Sequence, residues 1–313
     1  MGIDTEAARF LLIGQREGVS FKHCATLGRQ NLFLGNRETA SLLREYGLDP
    51  NKYPDFFATP YTRFRYAEPF WEMLGTTNLL VLDASDFEGA KQTRVHDLNL
   101  PIPDDLKGRF DAVCDFGTLE HVFNFPMGLQ NCLEMVKVGG HFFAQTTANN
   151  YFGHGFYQFS PEIFFRVLSQ RNGFELERMV VIEYGPRKRW FDLKDPELVR
   201  DRANLINGWP VMLCVRARKT AEVPVLREPV QQSDYAAAWV QQASTEQSGA
   251  IDSLASPKLL GLKQMLLEHT PWLARFLEVM RISSCNRQFS FRNRSVYSRL
   301  NKHNLGKNVD GRP

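Results

Sequence analysis

Residues 110–126 read FDAVCDFGTLEHVFNFP, and this stretch decides how the chain is read. An apolar run from Phe110 ends at Asp115, Phe116 and Gly117 follow, and Leu119-Glu120-His121 opens what reads as a helix. A continuous apolar run suits a parallel strand covered on both faces. Titratable groups just past the carboxyl end of such a strand are the usual lining of a ligand crevice in an open α/β sheet. Asp115 and His121 are therefore candidates for chemistry, with Glu120 beside them.

Working outward, further strand-like runs occur at 21–28, 78–85, 94–101, 139–148, 174–184 and 211–219. Helical patterns fill the gaps at 38–48, 67–75, 126–140 and 160–174. The last carries a clear start signal, with Ser160 as N-cap, Pro161 at the first helical position and Glu162 in the first turn. Strand alternating with helix predicts a doubly wound, mostly parallel seven-stranded sheet with helices on both faces, the seventh strand pairing antiparallel beside the sixth. Beyond residue 220 the pattern fails. Residues 221–256 read as a linker with one helix, and 257–281 as an amphipathic helical extension broken near Pro271. The expected division is an α/β domain over 1–220, a linker over 221–256, and a helical segment with a basic tail over 257–313.

A chain of 313 residues, 43% hydrophobic and with 24 Phe, can bury one large core plus an appendage. The five cysteines (Cys24, Cys114, Cys132, Cys214, Cys285) show no CxxC spacing, and those in apolar runs are expected as buried thiols. The opening residues lack a basic region followed by an apolar stretch, and no run approaches the roughly 20 apolar residues that span a bilayer. A cytoplasmic protein is expected. Charge is uneven: residues 281–313 hold eight of the 38 Lys/Arg but one of the 35 Asp/Glu. The leucines and aromatics of 257–280 before this basic run suit either packing on a domain or subunit, or a peripheral membrane contact. Nucleic acid is disfavoured by the mildly acidic body and the few aromatics in the tail.

Four stretches in order carry a resemblance to the class I S-adenosylmethionine-dependent methyltransferases, particularly the type 11 group. FDAVCDFGTLEHV (110–122) followed by MVKVGGHFFAQTTAN (135–149) resembles that family's fourth strand, helix and fifth strand. VLDAS (81–85) is similar to its acidic end of strand two, HDLNLPIP (96–103) to the stretch after strand three, and 159–176 to the helix before strand six. The likeness spans roughly residues 20–220 and implies a Rossmann-like fold, S-adenosylmethionine as cofactor, and a small-molecule or saccharide acceptor. One departure stands out. Where the family has an acid and a glycine-rich loop after strand one, this chain has ATLGRQNLFLG (25–35) with a lone Gly28. Either Arg29 and Gln30 contact the cofactor differently, or the chain is an inactive scaffold that binds a glycan, nucleotide or partner protein. A nicotinamide dehydrogenase is disfavoured, because Gly-x-Gly-x-x-Gly is absent after the first strand.

By resemblance, Leu27, Gly28 and Arg29 approach the methionine part of the cofactor, and Asp83 with Ala84 meets the ribose hydroxyls. Asp97 with Leu98 faces the adenine, and Asp115, Phe116 and Gly117 lie where the methionine end meets the acceptor. Read from the residues alone, Asp83 can instead cap the turn at Ser85-Asp86, Asp97 can be a solvated turn residue, and Glu120 suits the start of a helix dipole. His121 is either a general base or a structural residue. The stretch TTANNYFGHGFYQFSP (146–161) follows strand five and is expected to choose the acceptor. His154, set between two glycines, joins His121 and Tyr157 as a catalytic candidate. Metal-ligand spacing and a Gly-x-Ser-x-Gly elbow are both absent from the sequence, so no metal site is expected.

Overall fold

The computed structural model describes residues 2–62, 65–248, 265, 269–282, 286–303 and 305. Its strands are β1 (Gly2–Ile3), β2 (His23–Leu27), β3 (Asn31–Leu32), β4 (Asn78–Asp83), β5 (Thr93–Val95), β6 (Phe110–Phe116), β7 (Val136–Thr147), β8 (Phe174–Glu183), β9 (Arg189–Leu193), β10 (Val211–Lys219) and β11 (Tyr297–Leu300). β1 and β3 form a small parallel pair, and the other nine make one sheet in the order β11-β9-β8-β10-β7-β6-β2-β4-β5.

The expectation of seven mostly parallel strands is corrected here. The pairs from β5 to β7 are parallel, and those from β7 through β10, β8, β9 and β11 are antiparallel, four of each kind. The two extra strands come from runs too charged to read as strands. β9 follows the basic turn at 186–189, and β11 comes from the stretch that reads as a basic tail. β11 is the edge strand, where charge is tolerated because one flank faces solvent, and β9 lies next to it. Val296, beside β11, and its Tyr297 are buried against the sheet, and Phe291 stacks on Phe191 at 4.0 Å between ring centroids.

Side-chain alternation along the strands feeds two core layers, one on each face. Ala25, Leu27, Val113, Ala144, Val181 and Val215 pack with the helix Phe125–Met135. Cys24, Ala112, Cys114, Phe143, Ile182 and Cys214 pack with the helix Thr5–Arg16 and with Trp71. That N-terminal helix is capped by Asp4, whose side chain accepts from the Glu6 and Ala7 amides. Cys24, Cys114, Cys132 and Cys214 are buried free thiols, and Cys285 lies outside the described residues.

Three boundaries differ most from the sequence reading. The helix expected over 160–174 ends at Val167, and only a single tight turn follows at Gln170–Asn172. The helix expected over 126–140 ends at Met135, and Val136–Gly140 already belongs to β7. Gly140 lets that strand press on its neighbour, since a Cβ there would stand 2.8 Å from the carbonyl oxygens of Phe110 and Asp111. The strand expected over 94–101 shrinks to Thr93–Val95. Beyond it the chain is latched as a loop by buried Asn131, which accepts from the Ile102 amide at 3.0 Å and donates to the Leu98 and Leu100 carbonyls.

Between β10 and β11, residues Ser233–Ser248 and Pro271–Arg281 are helical. On the second of these Trp272, Phe276, Leu277 and Met280 are exposed; the leucines expected at 259, 260, 262, 266 and 267 lie outside the described residues. Among the described residues no helix is long and apolar enough to cross a membrane.

Candidate functional site

The chain runs outward from β2 through β4 to β5 on one side, then returns to build β6 and β7 on the other. The order therefore reverses between β2 and β6, and the crevice beyond their carboxyl ends is where ligands bind in open α/β sheets. Three contacts stitch that edge together. The Gly28 amide donates to the Leu82 carbonyl at 2.8 Å, the Thr118 hydroxyl to the Leu27 carbonyl at 2.7 Å, and the Thr146 hydroxyl to Glu120 Oε2 at 3.1 Å.

At the β4 side, Asp83 is half-buried and its Oδ1 accepts from the Ser85 amide at 3.2 Å. Glu88 comes close enough that burial and the Asp83 charge together push its carboxyl up. Its Oε2 is buried and accepts no hydrogen bond among the described residues. Ala84 is exposed beside them. Glu88 was not singled out by sequence reasoning; an acid five residues past the strand end leaves no local signal.

The loop after β2 is built differently from a glycine-rich turn. Gly28 takes φ +67°, and Arg29 turns away to bond Glu68 at 2.6 Å and the Glu88 carbonyl, with its guanidinium 3.5 Å from the Tyr66 ring centroid. Gln30 is buried, and its amide nitrogen donates to the Leu27 carbonyl. Its Oε1 has no donor among the described residues, so it remains an acceptor next to the crevice. Elsewhere the structure draws candidates apart. Asp97 is exposed and holds its own turn through the Asn99 amide at 2.9 Å, bonds that keep its carboxyl low. Leu98 is buried under the Asn131 latch, and Phe116 packs toward Trp71, 6.5 Å away, in the core layer.

Past β6 the chemistry concentrates. Asp115 is fully buried; its Oδ1 accepts from the amides of Thr118 at 2.9 Å and Leu119 at 3.3 Å, while Oδ2 accepts nothing among the described residues. Burial, and then the nearby Glu120, push the Asp115 carboxyl well up. Leu119–His121 forms a single tight turn, and the helix starts only at Phe125. That removes the helix-dipole explanation for Glu120. Its side chain is wholly buried, burial raises its carboxyl, and Oε1 is unpartnered by any hydrogen bond among the described residues.

The loop after β7 closes over this turn. The amides of Phe156 and Tyr157 donate to the Glu120 carbonyl at 2.8 and 3.2 Å. Gly155 makes the approach possible: it holds φ +77°, and a Cβ there would stand 2.7 Å from the Glu120 carbonyl oxygen. The strap brings His154 Nε2 to 3.9 Å from Glu120 Oε1 and its ring to 5.1 Å from that of His121. Burial and the His154 charge hold the His121 imidazole below its usual value. Tyr157 is half-buried, and its hydroxyl donates to the Phe123 carbonyl at 2.6 Å, which fixes the loop.

No protein-family model matches the chain, and no curated protein does. Among solved structures it is similar to an S-adenosylmethionine-dependent methyltransferase of Mesorhizobium loti, at 16% identity over 69% of this chain and 98% of that one, TM-score 0.36. It is similar as well to the N-methyltransferase NodS of Bradyrhizobium japonicum WM9, at 12% identity over 69% and 96%, TM-score 0.38. A branched-chain polyamine synthase of Thermus thermophilus also matches, at 14% identity over 74% and 60%, TM-score 0.36.

Proposed function

We propose that this chain transfers a methyl group from S-adenosylmethionine to a small-molecule or saccharide acceptor. The observation that carries the reading is the pairing across one crevice of an acidic strand end, Asp83 with Glu88, and the Glu120–His121–His154 cluster. The residues present fit the cofactor at two points. Ribose hydroxyls are donors, and Asp83 stands beside a buried Glu88 oxygen that lacks one. The cofactor's amino group is a donor too, and Gln30 Oε1 is a buried acceptor by the loop that follows β2. When bound, S-adenosylmethionine supplies a methyl carried on an electrophilic sulfonium.

The chain's own work is to orient and to move a proton. Asp83, Glu88 and Gln30 hold the cofactor side. His121 and His154 stand on the acceptor side, where an imidazole nitrogen takes the proton of an acceptor hydroxyl as its oxygen forms the new bond. Holding the two reactants in line supplies much of the acceleration. Tyr157 acts as a positioning residue through its bond to the Phe123 carbonyl.

A second reading is favoured by Arg29. Its contacts with Glu68, Tyr66 and Glu88 occupy the place of a glycine-rich loop, as expected of a scaffold that has given up the cofactor. Calorimetric titration with S-adenosylmethionine and S-adenosylhomocysteine decides between them. Micromolar binding supports the enzyme, and silence up to millimolar ligand supports the scaffold.

A further inference from the structure

Five carboxylates are buried among the described residues: Glu6, Asp111, Asp115, Glu120 and Glu183. Glu6 meets Lys302 at 3.0 Å, Glu183 meets Arg189 at 2.7 Å, and Asp111 meets Lys137. Asp115 and Glu120 meet no Lys or Arg among the described residues. Each also keeps one buried oxygen that accepts no hydrogen bond there. Buried polar oxygens are nearly always hydrogen-bonded, so two neighbouring acids that each keep an unpartnered one leave a place for a ligand to supply what the described residues do not.

The geometry provides a place for one. One oxygen of Glu120 and one ring nitrogen each of His121 and His154 all lie within 4.8 Å of one another. From these observations we infer that Glu120, His121 and His154 form a binding site for a divalent first-row transition cation. Two imidazoles and one carboxylate are the donor set that suits zinc or iron rather than magnesium or calcium, which take oxygen ligands. Ligands about 2.0–2.1 Å from a tetrahedral metal stand about 3.3 Å apart, so the three groups draw together modestly on binding. Both histidines are exposed and free to do so, while Glu120 is held by Thr146. The glycine-permitted strap at residue 155 sets their backbones in register before any ion arrives.

Three protein ligands leave at least one position open toward the crevice. An acceptor hydroxyl would take that position, where a bound cation would lower its pKa so that its proton passes to bulk water at neutral pH and the oxygen takes the methyl as the sulfonium carbon–sulfur bond breaks. With the cation bound, this would replace proton removal by an imidazole. This role for the open position rests on the methyl-transfer reading; the binding site itself does not. No sequence spacing announces it, because Glu120 and His121 are adjacent while His154 arrives from the far side of β7.

The test is titration of the full chain, stripped with chelator, with Co2+ as a spectroscopic probe and Zn2+ as competitor. The expected result is one Co2+ per chain, with visible absorption that Zn2+ displaces. His154→Ala and His121→Ala, both at exposed positions, each weaken binding at least about tenfold, the lower bound for groups that merely support metal ligands. His303→Ala, a surface histidine paired with Glu45, leaves binding unchanged. No saturable binding of either metal, or stoichiometric binding that both site variants retain at full strength, overturns the inference. Titrating the same samples with S-adenosylhomocysteine separates the two claims. Cofactor binding without site-specific metal binding sinks the cation and spares the methyl-transfer reading; site-specific metal binding without cofactor binding does the reverse.

Discussion

Strand β6 carries a buried aspartate at each end, and the two are treated in opposite ways. Asp111 at its start accepts the His23 amide at 2.8 Å and is paired with Lys137. Burial alone would raise its carboxyl, but the bonds from Lys137 and the His23 amide outweigh that and hold it low. Asp115 near its end has two amides on one oxygen, no hydrogen bond on the other among the described residues, and Glu120 as its acidic neighbour. The antiparallel flank follows the first pattern. Arg216 lies between Glu17 at 2.6 Å and Glu177 at 2.8 Å, and Glu183 holds Arg189. Among the described residues, the buried acids with a cation in place lie at the start of β6 and on or against the antiparallel flank, and the two without one lie at and just past its end.

The largest effect expected from breaking this division is on the flank. Arg216→Met removes the buried cation shared by Glu17 and Glu177, which keep Arg178 at 2.8 Å and Arg218 at 3.5 Å, and should cost about 3 kcal/mol in urea unfolding, the upper end for hydrogen bonds to charged groups. A loss below 1 kcal/mol would mean that those acids rearrange into water. At the crevice the same kind of change should act on ligand rather than fold. Asp83→Ala should weaken S-adenosylhomocysteine binding by about 1.5–3 kcal/mol, the range for hydrogen bonds to a charged group, with thermal stability retained. Equal affinity in mutant and wild type would remove Asp83 from the ribose.

The two ends of β6 offer the closest comparison. Asp111→Asn should lose about 1–2 kcal/mol, since a charged bond to Lys137 becomes a neutral one. Its pH dependence has a definite sign. The folded carboxyl lies below its unfolded value of about 3.9, so the contribution is complete above that pH and is lost as pH falls through the lower folded value. Stability measured from pH 6 downward should therefore fall less steeply in Asp111→Asn than in wild type, and parallel curves would count against the pairing. Asp115→Asn should change stability least, by under about 1 kcal/mol in chelator, because the amide oxygen can still accept from Thr118 and Leu119 and burial already pushes the carboxyl toward its uncharged form. A loss as large as that of Asp111→Asn would show that Asp115 is scaffold after all.

Much of the fold was legible from local pattern. The apolar runs at 78–83, 110–116 and 211–219 carry enough period and length to be strands in any context, and each is one. The start of the helix at Pro161 was announced by Ser160, whose hydroxyl accepts from the Glu162 amide. Strands β9 and β11 were not legible, because Arg189–Leu193 and Tyr297–Leu300 are short, charged, and stable only against each other and β8. The N-terminal helix Thr5–Arg16 was overlooked although Asp4 caps it, a signal that the sequence does contain.

At the site the sequence determined which groups end at the carboxyl edge: acid, imidazole and small residues placed after strands that had to run parallel. His121 and His154 could be named from that alone, since a strand ending fixes where the next residues emerge. Which of those groups face one another was decided by the tertiary structure. Glu120 reads as an exposed helix-start acid, and it becomes a fully buried carboxylate only because β7 supplies Thr146 beneath it and the 151–157 loop folds over its carbonyl. Glu88 reads as a loop acid, and Asp83 becomes its neighbour only when the chain after β4 turns back. The physical reason is the same in both cases. Burial and electrostatic coupling depend on distances in space, and whether the partners are five positions apart, as Asp83 and Glu88 are, or 26, as Glu120 and Thr146 are, those distances are set by how the chain packs.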